Sequence, residues 1–151
     1  MNFKLLRYKL LLILSVSFVV HSSDSDQSKI EQGFEVHYNA LSTSFLTPEV
    51  SKNYQIGRSN TKGMINIAVL KQIEGSVSEP VEADIIIDVQ NVYGQNKDVE
   101  LRKIKENDGA IYYIGTFSVS SREIVKFKAQ VKPSNSEAVI NIDFDQEFYT
   151  D

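Results

Sequence analysis

The stretch REIVKFKAQVKPSNSEAVINIDFDQE, residues 122–147, alternates apolar and polar side chains on both sides of a polar turn. Such a period of two is typical of β-strands with one buried face. We predict an antiparallel hairpin around the turn at residues 133–136, in the register that places apolar residues together and opposite charges together. The apolar pairs are Val131 with Ala138, Ala129 with Ile140, Phe127 with Ile142 and Val125 with Phe144; the charged pairs are Lys132 with Glu137, Lys126 with Asp143 and Arg122 with Glu147.

The same alternation recurs along the chain and predicts about seven strands. Residues 81–93 include Ile85, Ile86 and Ile87, apolar on both faces, so we predict a central strand that is covered on both sides. A second hairpin is predicted around Gly109, with Val99 opposite Phe117. The fold class that follows is all-β, an antiparallel immunoglobulin-like β-sandwich of about seven strands, with a small barrel as the alternative. The predicted strands cover residues 34–40, 65–69, 81–93, 99–106, 110–119, 124–132 and 138–149.

One segment departs from the β pattern. Thr47, Pro48 and Glu49 provide a capping hydroxyl, a proline for the first helical position and an acid in the first turn. They predict one short helix, ending near Ile56 and Gly57, in the connection after the first strand. This connection, residues 42–62, is long for a compact domain, and connections of that length often carry function.

The N-terminus predicts an export signal. Residues 1–9 are basic, residues 10–20 are apolar and small residues follow, which is the order of a secretory signal peptide. We place cleavage after Ser22, so residues 1–22 are the signal peptide, residues 23–32 a flexible polar leader and residues 33–151 a single β-sandwich domain. The alternative, an uncleaved membrane anchor, requires about 20 apolar residues, and this run is shorter. The expected location is periplasmic, with no membrane insertion after signal cleavage.

Cysteine content and charge exclude several classes of function. The chain has no cysteine, which removes disulfides, thiolate chemistry and lipoprotein attachment, and no cofactor is predicted. After cleavage, 13 basic side chains remain of the original 16 against 20 acidic ones, a net charge of −7. Such a charge argues against nucleic-acid binding and against adhesion to an anionic membrane.

Several short stretches resemble a known family of small exported proteins of Gram-negative bacteria, the family of domain of unknown function 4426. The resemblance covers residues 33–151 and implies an exported, sandwich-like domain of unassigned activity. It carries no catalytic or ligand-binding residues that can be transferred to this chain. The residues that carry it are His37-Tyr38-Asn39-Ala40, Phe45-Leu46-Thr47-Pro48-Glu49-Val50, Arg58-Ser59, residues 66–70, Ile111-Tyr112-Tyr113-Ile114 and Gln146-Glu147-Phe148-Tyr149.

Three functions remain open at this point. The first is a non-enzymatic periplasmic binding or accessory module that engages another envelope protein. The second is a small hydrolase or metal-dependent enzyme using His37, the one histidine after the signal. The third is a small-ligand carrier with a cavity inside the sandwich.

The acidic row Asp143, Asp145 and Glu147 is interpreted as a solvated, charge-paired face, because alternate side chains on a strand are spaced too widely for one ion. The candidate partner-binding residues are His37, Phe45, Leu46, Tyr54 and Arg58.

Overall fold

The computed structural model describes residues 27–150. The predicted signal peptide therefore lies outside the described residues. The described part contains nine strands, one α-helix and one short 3-10 turn. In chain order they are β1 (Gln27–Glu31), β2 (Phe34–Ser42), the 3-10 turn (Thr43–Phe45), α1 (Pro48–Tyr54), β3 (Lys62–Lys71), β4 (Glu79–Pro80), β5 (Ala83–Asn91), β6 (Arg102–Lys105), β7 (Ile111–Ser118), β8 (Glu123–Pro133) and β9 (Ile140–Phe148).

The strands form two antiparallel sheets. The larger sheet has the order β1-β2-β3-β7-β6, and the short β4 also pairs with β3; we call it sheet A. The smaller sheet has the order β5-β8-β9 and is called sheet B. All pairings are antiparallel, which confirms the predicted all-β class with antiparallel sheets.

The core lies between the facing sides of the two sheets. Every second residue of β2, β3, β8 and β9 points into it, as the alternation predicted. The Tyr38 ring of sheet A lies 4.9 Å from the Phe144 ring of sheet B, and Phe144 in turn stacks on Phe127 at 4.7 Å. Phe117 packs edge-on against Phe127 and Phe148. These ring contacts stabilise the core of a chain that has no disulfides.

The C-terminal hairpin forms, but its predicted register is wrong by two residues. Phe127 lies opposite Phe144 rather than Ile142, and Val131 lies opposite Ile140. On the outer face Lys126 and Lys128 lie opposite Asp145 and Asp143. A shift of two residues leaves every side chain on its predicted face, because the pattern repeats every two residues. Pro133 still belongs to β8, where it pairs with Ala83, and the turn is longer than predicted because β9 begins only at Ile140.

The register predicted for the second hairpin is confirmed for residues 102–105, but Val99 lies outside the strand and does not pair with Phe117 as predicted. Lys103 pairs with Tyr113 and Lys105 with Ile111, and Gly109 has a φ of 93°, in the region that favours glycine. The strand β6 is shorter than predicted and begins at Arg102. The chain before it leaves the ladder and crosses Gly115, where an added Cβ would lie 2.5 Å from Cγ1 of Val99.

Two further predictions are wrong. The segment expected to be a flexible leader contains β1, which pairs with β2 along its full length. The strand expected at the centre of a sheet, β5, is an edge strand, and Ile86 is 70% exposed.

The helix α1 begins after Thr47, whose hydroxyl accepts a hydrogen bond from the Val50 N–H. Because β1 precedes β2, the helix follows the second strand. No helix within residues 27–150 combines the length and the apolar character needed to cross a membrane.

Candidate functional site

The long connection between β2 and β3 packs onto the outer face of sheet A. Side chains of this connection and of the sheet form a second, smaller apolar cluster on that face. The cluster covers the half of the face that lies near β6 and β7. Its members are Ile56, Met64 and Ile114 with Leu41, Leu46, Tyr54, Ile104 and Tyr112 around them.

Two of the predicted partner-binding residues in this connection hold it in place. The Tyr54 hydroxyl donates a 2.6 Å hydrogen bond to a Glu106 carboxylate oxygen. This bond, with a contribution from burial, raises the pKa of Tyr54 to about 12. The guanidinium of Arg102 donates to the Tyr54 carbonyl, so the end of α1 is tied to β6 at two points. Arg58 donates to the Ser44 carbonyl at 3.2 Å, which links the two ends of the connection.

The five predicted residues are not gathered at one place. Leu46 is half-buried in the outer cluster, whereas the Phe45 ring is 80% exposed. His37 lies on β2, where its Nε2 is 3.2 Å from a Glu35 carboxylate oxygen. Tyr54 and Arg58 make the structural contacts described above. The role of all five residues in binding a partner therefore stays a prediction.

Next to the covered half, the outer face of sheet A has a hollow of about 250 Å³. Ala68 lies opposite His37 across the β2–β3 ladder, and its small side chain leaves a depression between larger neighbours. His37 and Tyr112 stand around this depression together with Asn39 and Asn66. Tyr112 also belongs to the outer cluster, so the hollow adjoins the long connection. The remaining lining residues are Leu70, Pro80, Ala110 and Ile111.

Two amide oxygens in this hollow lack hydrogen-bond partners. The Oδ1 atoms of Asn39 and Asn66 are buried and accept no hydrogen bond from the described residues. The two asparagines lie directly opposite each other on β2 and β3. A buried acceptor without a donor is costly and rare in folded proteins. The two unpaired oxygens belong to neighbouring strands at the same level of sheet A. We call this feature the asparagine hollow.

A larger cleft of about 840 Å³ lies between the C-terminal end of α1, β7 and residues 98–102. Its walls carry basic and acidic side chains together, Lys62 and Arg102 against Asp98 and Glu100. Its lining contains neither of the two buried unpaired side-chain oxygens found within residues 27–150. This mixture gives no preference for one ligand chemistry, so the asparagine hollow is the better candidate site.

Two observations bear on the other two functional hypotheses. Within residues 27–150, no group of three or more His, Cys, Asp or Glu side chains is placed to hold a metal ion. The acidic row on β9 faces solvent, with Lys126 and Lys128 opposite Asp145 and Asp143. The space between the sheets is filled by Phe127, Ile65 and Ile140, all fully buried, and the two cavities described above lie outside it.

Sequence reasoning missed the residues that make the hollow polar. Asn39 and Asn66 both occupy outward positions of predicted strands, which is ordinary for asparagine in a solvated face. Their meeting depends on the β2–β3 register, and the connection of about 20 residues between the strands does not fix a register. The one available signal was the pair of amides at outward positions of two neighbouring strands.

Comparisons with known proteins agree with this architecture. The model of the family described as Domain of unknown function (DUF4426) matches residues 28–151. The crystal structure of a DUF4426 family protein (PA0388) from Pseudomonas aeruginosa PAO1 is similar, with a TM-score of 0.69 and 30% sequence identity. The match covers 84% of this chain and 97% of that one. No curated protein matches the sequence.

Proposed function

The chain belongs to the DUF4426 family, and on that premise we propose that it is an exported, non-enzymatic binding domain of the cell envelope, of immunoglobulin-like type. It engages another envelope protein by receiving an arginine side chain of that partner in the asparagine hollow. The observation that carries this proposal is the pair of buried, unpaired amide oxygens of Asn39 and Asn66.

The chemistry of the hollow favours a guanidinium group. Two acceptors on neighbouring strands match a donor that presents several N–H groups in a fixed fork. The rings of His37 and Tyr112 stand at the sides of the hollow, where a planar cation can stack on them. Glu35 lies beside His37 and adds a negative charge next to the hollow. The net charge of −7 for residues 23–151 favours approach of a basic partner.

Titration of the isotopically labelled protein with N-acetylarginine amide, followed by NMR, tests the site. We expect saturable shifts of the Asn39 and Asn66 side-chain amide signals, and no such shifts with N-acetylnorleucine amide, which lacks the guanidinium. Asn39→Leu removes one acceptor and should weaken binding at least tenfold, whereas Asn39→Asp should tighten it. Asn53→Leu, at an exposed position of α1, is the matched control. Equal shifts with both compounds, or unchanged binding by Asn39→Leu, would refute the proposal.

Export is tested separately. The full chain is expressed in a Gram-negative host and recovered by osmotic shock. We expect the periplasmic fraction to contain a protein whose mass begins at Ser23. A chain that stays in the cytoplasm with residues 1–22 intact would contradict the export part of the proposal without affecting the asparagine hollow.

A further inference from the structure

The edge strand β5 is a second candidate binding surface, because part of its backbone is unpaired. Residues of an antiparallel strand direct their backbone N–H and C=O alternately to either side. The Val89 carbonyl accepts from the Lys97 N–H at 2.8 Å, and the Asn91 N–H donates to the Gln95 carbonyl at 3.0 Å, on the side away from β8. The Ala83 N–H donates to the Tyr113 hydroxyl on that same side. Both ends of this edge are therefore paired.

Between these ends the edge is open. Ile85 and Ile87 alternate along the strand with Ala83 and Val89 at intervals of two residues, so their backbone N–H and C=O groups also point away from β8. No other described residue bonds to them on that side. Their side chains are half-buried against the core, and Ile86 between them is 70% exposed. An apolar edge with unpaired backbone groups is a template for strand addition.

The edges of β1 and β6 and the start of the β9 edge are protected. On β1, Lys29 pairs with Glu31 at 2.8 Å and its ammonium also donates to the Asn141 carbonyl of β9. Gln32 donates to the Val139 carbonyl, so the β1 and β9 edges are bridged to each other. The edge strand β6 reads RKIK, and inward-pointing lysines are a known protection against edge pairing. Within residues 27–150, the middle of the β5 edge carries neither an inward-pointing charge nor such a bridge.

We propose that the β5 edge at residues 84–88 binds an extended peptide segment of a partner protein as an additional antiparallel strand. The segment has the pattern basic–x–apolar–x–basic. Its apolar residue lies opposite Ile86, and its two basic residues lie opposite Asp84 and Asp88, which flank Ile86 on the same face. The proposal is independent of the asparagine hollow, which lies on the outer face of the other sheet.

The charges argue against a second copy of this chain as the occupant. A symmetric antiparallel pair of β5 strands centred on Ile86 would set Asp84 of each copy opposite Asp88 of the other. Like charges directly opposite each other destabilise a strand pair. Asp84 and Asp88 already face Lys132 and Lys128 of β8, and a partner strand with lysine or arginine at those positions would place a second basic side chain on the free side of each aspartate.

A synthetic peptide tests this proposal. The probe is an N-acetylated, C-amidated peptide containing Lys-Val-Ile-Val-Lys between two threonines, and the control peptide has Glu in place of both Lys. Isothermal titration should give at least tenfold weaker binding for the Glu peptide. NMR shifts should centre on the Ile85 and Ile87 amides.

Two variants keep the test decisive. Ile86→Lys, at an exposed position that should not affect folding, should weaken binding of the Lys peptide at least tenfold. The double variant Asp84→Lys/Asp88→Lys should reverse the preference between the two peptides. The proposal is overturned by equal binding of both peptides, by shifts located away from β5, or by a concentration-dependent dimer that Ile86→Lys abolishes.

Discussion

Glu123, at the start of β8, illustrates how a single charged residue organises one end of this sandwich. One carboxylate oxygen lies 2.8 Å from the Lys97 ammonium, and the other accepts the Ser120 N–H at 2.8 Å. Asn91 donates a third hydrogen bond at 3.2 Å. Burial raises the pKa of Glu123, but these hydrogen bonds outweigh it and hold the pKa below its ordinary value of 4.5. The carboxylate form is therefore the one that stabilises the fold.

Replacing Glu123 with Gln should lower the free energy of unfolding by about 1–3 kcal/mol at pH 7, because Lys97 loses its buried partner. A group whose pKa is lowered by folding contributes fully above its unfolded pKa and loses that contribution as the pH falls through the folded one. The difference between the two proteins should thus shrink below pH 4.5. Urea denaturation from pH 3 to 7 measures it, with exposed Glu74→Gln as the control. A difference that stays constant over this range would contradict the pKa assignment.

Gly115 shows that one missing side chain can shape a loop. An added Cβ would lie 2.5 Å from Val99 Cγ1 and 3.2 Å from the Glu100 carbonyl oxygen. We expect Gly115→Ala to cost about 1–3 kcal/mol through overpacking. In the Val99→Ala background the cost should be smaller, since the nearest clashing atom is gone. Thermal denaturation of the two single variants and the double variant measures the coupling. Gly57→Ala, which meets no atom within 4 Å, is the control, and additive effects would refute this explanation.

At the scale of elements, α1 depends on its anchor to β6 more than on its own length. Seven residues are too few for a helix that is stable in isolation. The Thr47 cap begins the helix, and the contacts of Tyr54 with Glu106 and Arg102 hold its end. Because Gln55 adopts a φ of 54°, the chain then turns sharply back toward the sheet.

Tyr54→Phe should therefore loosen α1 while leaving the sheets intact. We expect faster hydrogen exchange of the α1 amides and a loss of about 1 kcal/mol in unfolding free energy. Because folding raises the pKa of Tyr54 to about 12, its contribution should persist below pH 10 and disappear as the pH rises toward 12. Spectrophotometric titration should show a tyrosine step near pH 12 in the parent protein that this variant lacks. Tyr93→Phe, at a position 86% exposed, serves as the control. Loss of the step near pH 12 in this control, with that step retained in Tyr54→Phe, would contradict the assignment.

How far the sequence predicts these elements depends on the range of the interaction. The strand around Phe127 and the cap at Thr47 were predicted because local alternation and capping chemistry decide them. The two-residue error in the C-terminal hairpin arose because both registers keep Phe127 buried and leave every side chain on the same face, so the alternation does not distinguish them. The position of β5 was wrong for the same kind of reason. Apolar residues on both faces fit a central strand, yet Ile86 lies at an open edge.

The candidate site was predicted less well than the fold. His37 was singled out as the one histidine after the predicted signal peptide, and it does lie at the hollow. The asparagines that give the hollow its chemistry come from two strands whose pairing no local pattern encodes. Tyr54 and Arg58 were chosen because long connections often carry function, but both hold the connection together.

At the scale of the whole molecule, the two sides of the sandwich differ. Lys29 of β1 and Gln32 just after it donate hydrogen bonds to the Asn141 and Val139 carbonyls, which bridges β1 to the start of β9 on one side. On the other side, the start of β5 is linked to sheet A by the ion pair of Lys103 with Glu82 at 3.0 Å and by the hydroxyl of Tyr113 on β7, which accepts a hydrogen bond from the Ala83 N–H. The open part of β5 lies beyond these links. The core therefore has to be held chiefly by the aromatic rings between the sheets rather than by continuous pairing around its edges.

Phe127 is the ring on which this arrangement depends most. It is fully buried on the central strand of sheet B, stacks on Phe144 and contacts Phe117 of sheet A. Phe127→Ala should cost about 3–5 kcal/mol, because it removes apolar contacts from both sheets and leaves a cavity. Phe45→Ala removes the same atoms from a ring that is 80% exposed and should change stability by less than about 0.5 kcal/mol. Guanidinium denaturation followed by both tyrosine fluorescence and circular dichroism measures the two variants. Since the rings join the sheets, both probes should report one shared unfolding transition. Two separate transitions in the parent protein would show that the sheets are stabilised independently of this contact. Equal losses of unfolding free energy in the two variants would show the same.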